Sequence, residues 1–137
     1  MNDVLRLPAG PTVLIAHGND SERSWLAQSL VASGFQVVSC DNGKDALRHI
    51  ANTRLALVIA AVSMPQLDGL ELLRIVGEQH PTLAVIAVAH ADEMEQIYRR
   101  SAEALGAVST FTLPISDRVL LDGVRQAIHG LRKAGAS

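Results

Sequence analysis

Leu57-Val58-Ile59-Ala60-Ala61-Val62-Ser63-Met64-Pro65-Gln66-Leu67-Asp68-Gly69-Leu70-Glu71-Leu72-Leu73 passes from one structural period to another. The apolar run that leads into it starts at Leu55 and holds to Ala61 without alternation, as in a strand buried on both faces. Val62 to Asp68 reads as a loop in which Pro65 fixes the turn. Asp68 is an N-cap, and Gly69 is expected to relieve the first turn of the helix behind it. That helix carries Leu70, Leu73, Ile75 and Val76 at helical spacing to about Gln79, where His80-Pro81 stops it. A strand hidden on both sides that feeds a helix belongs to a parallel sheet, so 55–61 is predicted to lie at the sheet centre.

The same unit recurs on either side. Thr12–Ala16 is a short apolar strand, followed by a helix capped by Asp20 or Ser21 and running to about Ser33, with Leu26, Ala27, Leu30 and Val31 inward. Gly34 ends it, and Phe35–Ser39 is the second strand. Asp41-Asn42-Gly43 turns into a helix to about Asn52, with Ala46, Leu47, Ile50 and Ala51 inward. Leu83–Ala89 is a fourth strand, and 91–104 a helix closed by Gly106. Ala107–Phe111 is a fifth strand, and Ser116 to about Lys133 a last helix with Leu120, Leu121, Val124, Ile128 and Leu131 inward. Strict alternation predicts an α/β, doubly wound, five-stranded parallel sheet in the order 2-1-3-4-5, a three-layer sandwich. Residues 1–11 read as a flexible leader, 12–133 as the domain and 134–137 as a short tail. The functional crevice of such a sheet lies at the carboxyl ends of the strands.

The chain has 137 residues, enough for one core. Its hydrophobic fraction of 48% with only 3% aromatics makes that core aliphatic. The net charge of −2 with both signs scattered gives no basic run for nucleic acid. No secretory signal is legible, no apolar run approaches a membrane span, and a single cysteine suits a reducing compartment, so the expected location is cytoplasmic.

Met64-Pro65-x-x-Asp68-Gly69 after the central strand is the clearest of several ordered pieces. The others are Gly34-Phe35-Gln36-Val37, Asn42-Gly43-Lys44-Asp45-Ala46-Leu47, Ala104-Leu105-Gly106-Ala107 and the Leu113-Pro114 bond. Together they resemble the response-regulator receiver domain of bacterial two-component signalling, the CheY-like fold, over residues 12–133. The resemblance implies phosphoryl transfer from a histidine kinase to an aspartate ending the third strand. It further implies an acidic pair that holds Mg²⁺, a hydroxyl after the fourth strand and a lysine before the last proline. Those positions fall on Ala61, on His17 and Gly18, on Ala89 and on Leu113, and the aromatic switch position falls on Thr110 beside Phe111. A methyl group cannot attack phosphorus and a leucine cannot neutralise it. The chain is therefore expected to be a degenerate pseudo-receiver, not an enzyme, with no catalytic residue and no cofactor.

Its retained loop motif is Met64, Pro65, Asp68 and Gly69. Output is expected through phosphorylation-independent binding to a signalling protein such as a histidine kinase or another regulator, without nucleic acid or membrane. Candidate contact residues are Trp25 on the first helix, with Tyr98, Arg99, Arg100, Asp117 and Arg118 on the face of the fourth helix, fifth strand and fifth helix. The resemblance makes that face a candidate homodimer surface. The competing expectation is a ligand- or metal-sensing module at the altered crevice, where His17 and His90 flank the lost site.

Overall fold

The structure is a computed structural model that describes residues 10–136, with side chains described to residue 130. Its elements are β1 (Thr12–Ala16), α1 (Asp20–Ala32), β2 (Gln36–Cys40), α2 (Gly43–Asn52) and β3 (Leu57–Ala61). They continue with α3 (Gly69–Gln79), β4 (Ala84–His90), α4 (Glu93–Ala104), β5 (Ser109–Leu113) and α5 (Asp117–Ala136). Every strand pairing is parallel and the order is β2-β1-β3-β4-β5, with β3 at the centre as its unbroken apolar run requires.

Register sets the two faces. Ile15, Ile59 and Ile86 lie side by side across β1, β3 and β4. They pack with Leu26 and Leu30 of α1 and with Leu120 and Val124 of α5. One residue earlier in each strand, Leu14, Val58 and Val85 face the other way, onto Ala46 and Ile50 of α2, Leu72 and Val76 of α3 and Ala102 of α4. Two aliphatic layers thus clamp one sheet, which brings all strand ends to one edge.

Several local expectations change. Asn19, not Asp20 or Ser21, caps α1, because its side chain accepts the Glu22 N–H at 2.9 Å. Val31 is 58% exposed, and Ser29 takes the inward position instead, where its hydroxyl donates to Asp117 on α5 at 2.9 Å. Ala51 is exposed. Leu72 is a buried member of α3 that the sequence reading passed over. β5 runs later than expected, because Gly106 in the left-handed region (φ 106°) and the Ala107 N–H to Ala102 carbonyl bond still belong to the α4 terminus. Leu113 is consequently the last strand residue, and the bond to Pro114 is cis. α5 continues through Ala136 instead of stopping near Lys133. The expected leader over residues 1–9, the inward placement of Leu131 and the tail residue Ser137 lie outside the described residues or side chains. Pro11 is not loose, since its carbonyl accepts from Gln36 N–H at 3.0 Å.

Gly69 serves a different purpose from the one expected. A Cβ there would lie 2.1 Å from the Ala61 carbonyl oxygen, so the start of α3 crosses the end of β3 at backbone contact. Gly43 does the same for α2, where a Cβ would lie 1.9 Å from the Leu67 carbonyl oxygen. Replacing Gly69 by alanine should lower the unfolding free energy by roughly 1–3 kcal/mol in urea titrations. Gly77→Ala, which meets nothing within 4 Å on the exposed side of α3, should raise it by about 0.5–1 kcal/mol. Equal effects at the two sites would contradict the close crossing.

Candidate functional site

The carboxyl ends of β1, β3, β4 and β5 present His17, Ala61, Ala89 with His90, and Leu113. Ala61, Ala89 and Leu113 are all nearly inaccessible. Ala61 and Leu113 belong to the same apolar cluster as Ile59 and Leu120, so the crevice floor is an extension of the core. Met64 packs on the opposite cluster, and Asp68 accepts the Glu71 N–H as the cap of α3. These loop residues hold the fold and point no chemistry at the floor.

The polar part of the crevice is built by two helix starts. Asn19-x-x-Glu22 and Asp92-x-x-Glu95 are capping pairs: each cap side chain accepts the N–H of the glutamate three residues on. Because both helices begin at the same sheet edge, their glutamates converge on one ring. His90 Nε2 lies 2.7 and 2.8 Å from the two Glu22 oxygens, and His90 Nδ1 lies 3.1 Å from Glu95 Oε1. The same Glu95 oxygen accepts the His90 backbone N–H at 2.8 Å. His17 stands 6.1 Å away, ring centre to ring centre and edge-on, with its Nε2 3.8 Å from Glu22. Its Nδ1 accepts the Asn19 N–H at 3.1 Å, and Arg23, itself paired with Asp20, donates to the His17 carbonyl.

The two rings are pushed in opposite directions. Burial holds His17 below the usual imidazole range, against the attraction of Glu22, and the neighbouring His90 adds to the lowering. Burial also works against the charge on His90, but its hydrogen bonds and charge contacts with Glu22 and Glu95 outweigh it, so His90 is raised. Both nitrogens of His90 face carboxylate oxygens, which is the bonding pattern of an imidazolium.

His17, Glu22 and His90 bring donor atoms within 4.8 Å of one another, as do His90, Asp92 and Glu95. The geometry nevertheless fits a transition metal poorly. A backbone N–H occupies the His17 Nδ1 lone pair, so the neutral ring carries its proton on Nε2, the atom that would have to ligate. Tetrahedral zinc ligands at ~2.0 Å sit about 3.3 Å apart, wider than the direct His90–Glu22 contact. The Mg²⁺ of the resembled family fits no better. Magnesium wants carboxylate oxygens, whereas the family's ligand positions are His17, Gly18 and Ala61, Glu22 and Glu95 are bound to His90, and Asp20, Asp68 and Asp92 are occupied by Arg23 and by helix N–H groups.

The contact candidates are scattered by the fold. Trp25 packs on the α1–α5 side and walls an apolar cleft of about 310 Å³ with Ser21, Glu22, Leu113, Pro114 and Ile115. Arg99 is not a free contact residue, because it binds Gln96, Glu103 and Thr110 and so ties α4 to β5. Gln96 adds bonds to the His90 carbonyl at 2.7 Å and to Thr112 at 3.1 Å. Tyr98 packs on the core, and Asp117 is turned to Ser29 of α1. Arg100 and Arg118 are exposed. Phe111 lies against Gly123 of α5, and Thr110 takes the α4 side of β5.

The family profile described as the response regulator receiver domain matches residues 13–125. The chain belongs to this family. The receiver is 31% identical over 121 residues to the response regulator protein FleR of Pseudomonas aeruginosa, covering 87% of this chain and 24% of that protein. It is 32% identical to a cyclic di-GMP phosphodiesterase of Thermotoga maritima over 86% of this chain and 31% of that one. The receiver thus spans a quarter to a third of these curated relatives. Among solved structures it resembles the signal receiver domain of a histidine kinase from Syntrophus aciditrophicus, with 28% identity, 88% and 92% coverage and a TM-score of 0.79. Among the described residues no helix is long and apolar enough to cross a membrane.

Glu22, Glu95 and Gln96 were not anticipated from sequence as site residues. The Asn19-x-x-Glu22 and Asp92-x-x-Glu95 patterns were the available signal, since each places a carboxylate one turn inside a helix that opens at the crevice. The buried His17 has a consequence for stability. Its pKa is lower folded than unfolded, so the unfolded chain binds more protons between the two values and stability falls as pH drops through that window. In a His90→Gln background, urea-derived stability should decline as pH falls below the unfolded value of ~6.5. His17→Gln in that background should flatten the curve, and a flat curve with His17 present would contradict its burial as a neutral ring.

Proposed function

We propose that this receiver domain is a pseudo-receiver that signals by protein contact without accepting a phosphoryl group. The observation that carries the reading is the floor of the crevice. Where β3, β4 and β5 end, Ala61, Ala89 and Leu113 close it with buried apolar side chains. A phosphoryl group there would meet no nucleophile, no carboxylate-held cation and no ammonium group. Receivers act with histidine kinases and other regulators.

The contact surface best supported is the cleft under Trp25, where an aromatic wall and the Leu113–Ile115 segment offer an apolar seat rimmed by Glu22. A second contact region, suited to a partner or a second copy, is the α4–β5–α5 face. Its exposed Ile97, Val108 and Val119 lie beside Arg100 and Arg118. Arg99 there acts internally, so its role in binding is to hold α4 in place.

Acetyl phosphate with Mg²⁺ should give no phosphoryl adduct by intact-mass spectrometry, and Ala61→Asp alone should not restore one, because metal ligands and cation are still missing. A signalling partner captured from the native cell should bind equally with and without acetyl phosphate. Trp25→Ala should weaken it by roughly tenfold or more, as expected of a buried aromatic anchor. A stable adduct on an aspartate or glutamate, or binding that appears only with the phosphodonor, would overturn the reading.

A further inference from the structure

We propose that His90 is a proton-operated clasp: as an imidazolium it ties Glu22 of α1 to Glu95 of α4 across the mouth of the crevice, and as a neutral imidazole it must let one of them go. The argument rests on a count of hydrogens. His90 Nε2 has two Glu22 oxygens at 2.7 and 2.8 Å, and Nδ1 has Glu95 Oε1 at 3.1 Å. An imidazolium has two N–H groups and satisfies both carboxylates. A neutral ring has one, and whichever nitrogen loses its proton then turns a lone pair toward a carboxylate at contact distance. The ring cannot rotate out of this conflict while both contacts are kept.

The surrounding charges favour the closed form at low pH. Around His90 stand the carboxylates of Glu22, Glu95 and Asp92, the neutral His17 ring and, further off on α1, Arg23 bound to Asp20. Three carboxylates face the ring from two helices and the loop between β4 and α4, against one guanidinium that is already paired. Loss of the proton leaves these carboxylates without their shared cation. His17 cannot replace it, because burial holds it neutral and its Nε2 reaches Glu22 only at 3.8 Å. His90 is 42% exposed at its side chain, so proton exchange with solvent is direct. The raised pKa of His90 fixes the sign: the clasp is complete below ~6.5 and is lost as pH rises through the folded value.

The clasp is connected to the rest of the domain. Glu95 also holds the His90 backbone N–H, and Gln96 beside it binds the His90 carbonyl and Thr112 of β5. Release of Glu22 removes the tie between the first turn of α1 and His90 and leaves a free carboxylate at the Trp25 cleft, of which Glu22 is a rim residue. Release of Glu95 instead loosens the first turn of α4. The effect on partner binding rests on the contact reading above, whereas the clasp stands on its own geometry.

The test is a histidine NMR titration of the full chain, with ring ¹⁵N shifts followed from pH 5 to 9. His90 is expected to titrate above the ordinary histidine range and to show both nitrogens protonated at the acid end. His17 is expected to stay in the Nε2–H form. Glu22→Gln and Glu95→Gln should each lower the His90 midpoint, and Glu22→Asp should recover part of the loss. Amide protection at Gln96 and Ile97, relative to the His90→Gln variant at the same pH, should fall across the His90 titration. A midpoint at or below the ordinary range overturns the proposal. So does a midpoint that responds to Glu95→Gln but not to Glu22→Gln, since His90 would then be tied only to α4, the helix that follows its own strand. If the midpoints move as expected but partner affinity is the same at both ends of the titration, the clasp stands and its link to the contact surface fails.

Discussion

One ring between two carboxylates closes the functional edge of this domain. Five parallel strands deliver their carboxyl ends to the same edge, and every helix that follows a strand starts there with its N–H groups unsatisfied. Asn19 and Asp92 cap two of those helices, and capping places Glu22 and Glu95 one turn in. His90, at the end of β4, fills the gap between them. The convergence is a consequence of topology: α1 and α4 lie on opposite faces of the sheet, and only the strand-end edge lets their first turns meet over one residue.

A crevice built this way is electrostatically different from one made to hold a divalent cation. Clustered carboxylates repel one another and depend on an added cation. Here the positive charge is part of the chain, and the floor beneath it is aliphatic. Ala61 and Leu113 are packed as core residues, so the energy that holds the floor is the same burial that holds Ile59 and Leu120. On the far side, Arg99 and Gln96 fasten α4 to Thr110 and Thr112 of β5. Both features favour a single arrangement of α4 and β5 in the absence of an input that binds one state better than another.

The sheet order was legible because β1, β3 and β4 are apolar runs, β2 and β5 are the more polar strands expected at the edges, and the strands alternate with helices. The Met64–Gly69 loop fixed the position of β3 within that order. Errors came where side-chain identity misleads. Val31 is apolar yet exposed, because the buried face of α1 is Leu26, Ser29 and Leu30 and Ser29 is satisfied there by Asp117. Arg99 looked like a surface charge in sequence and ties α4 to β5, while Asp117 is exposed but also accepts from Ser29 of α1. Gly69 was read as a helix-start residue, and its reason is a backbone crossing between two elements that no local pattern reveals. The apolar floor could be read from strand endings alone. The glutamates could not, because a capping pair says where a carboxylate sits on its helix but not what ring the tertiary fold brings to it.

On the proposed reading, this edge does not respond to a phosphoryl group. The most direct measurement is an amide NMR titration with Mg²⁺ and beryllofluoride, a phosphoryl mimic that binds carboxylate–metal sites. The prediction is that resonances of Ala61, Ala89 and residues 93–113 stay in place at saturating reagent. Saturable shifts at Ala61 that spread along α4 and β5 would contradict it.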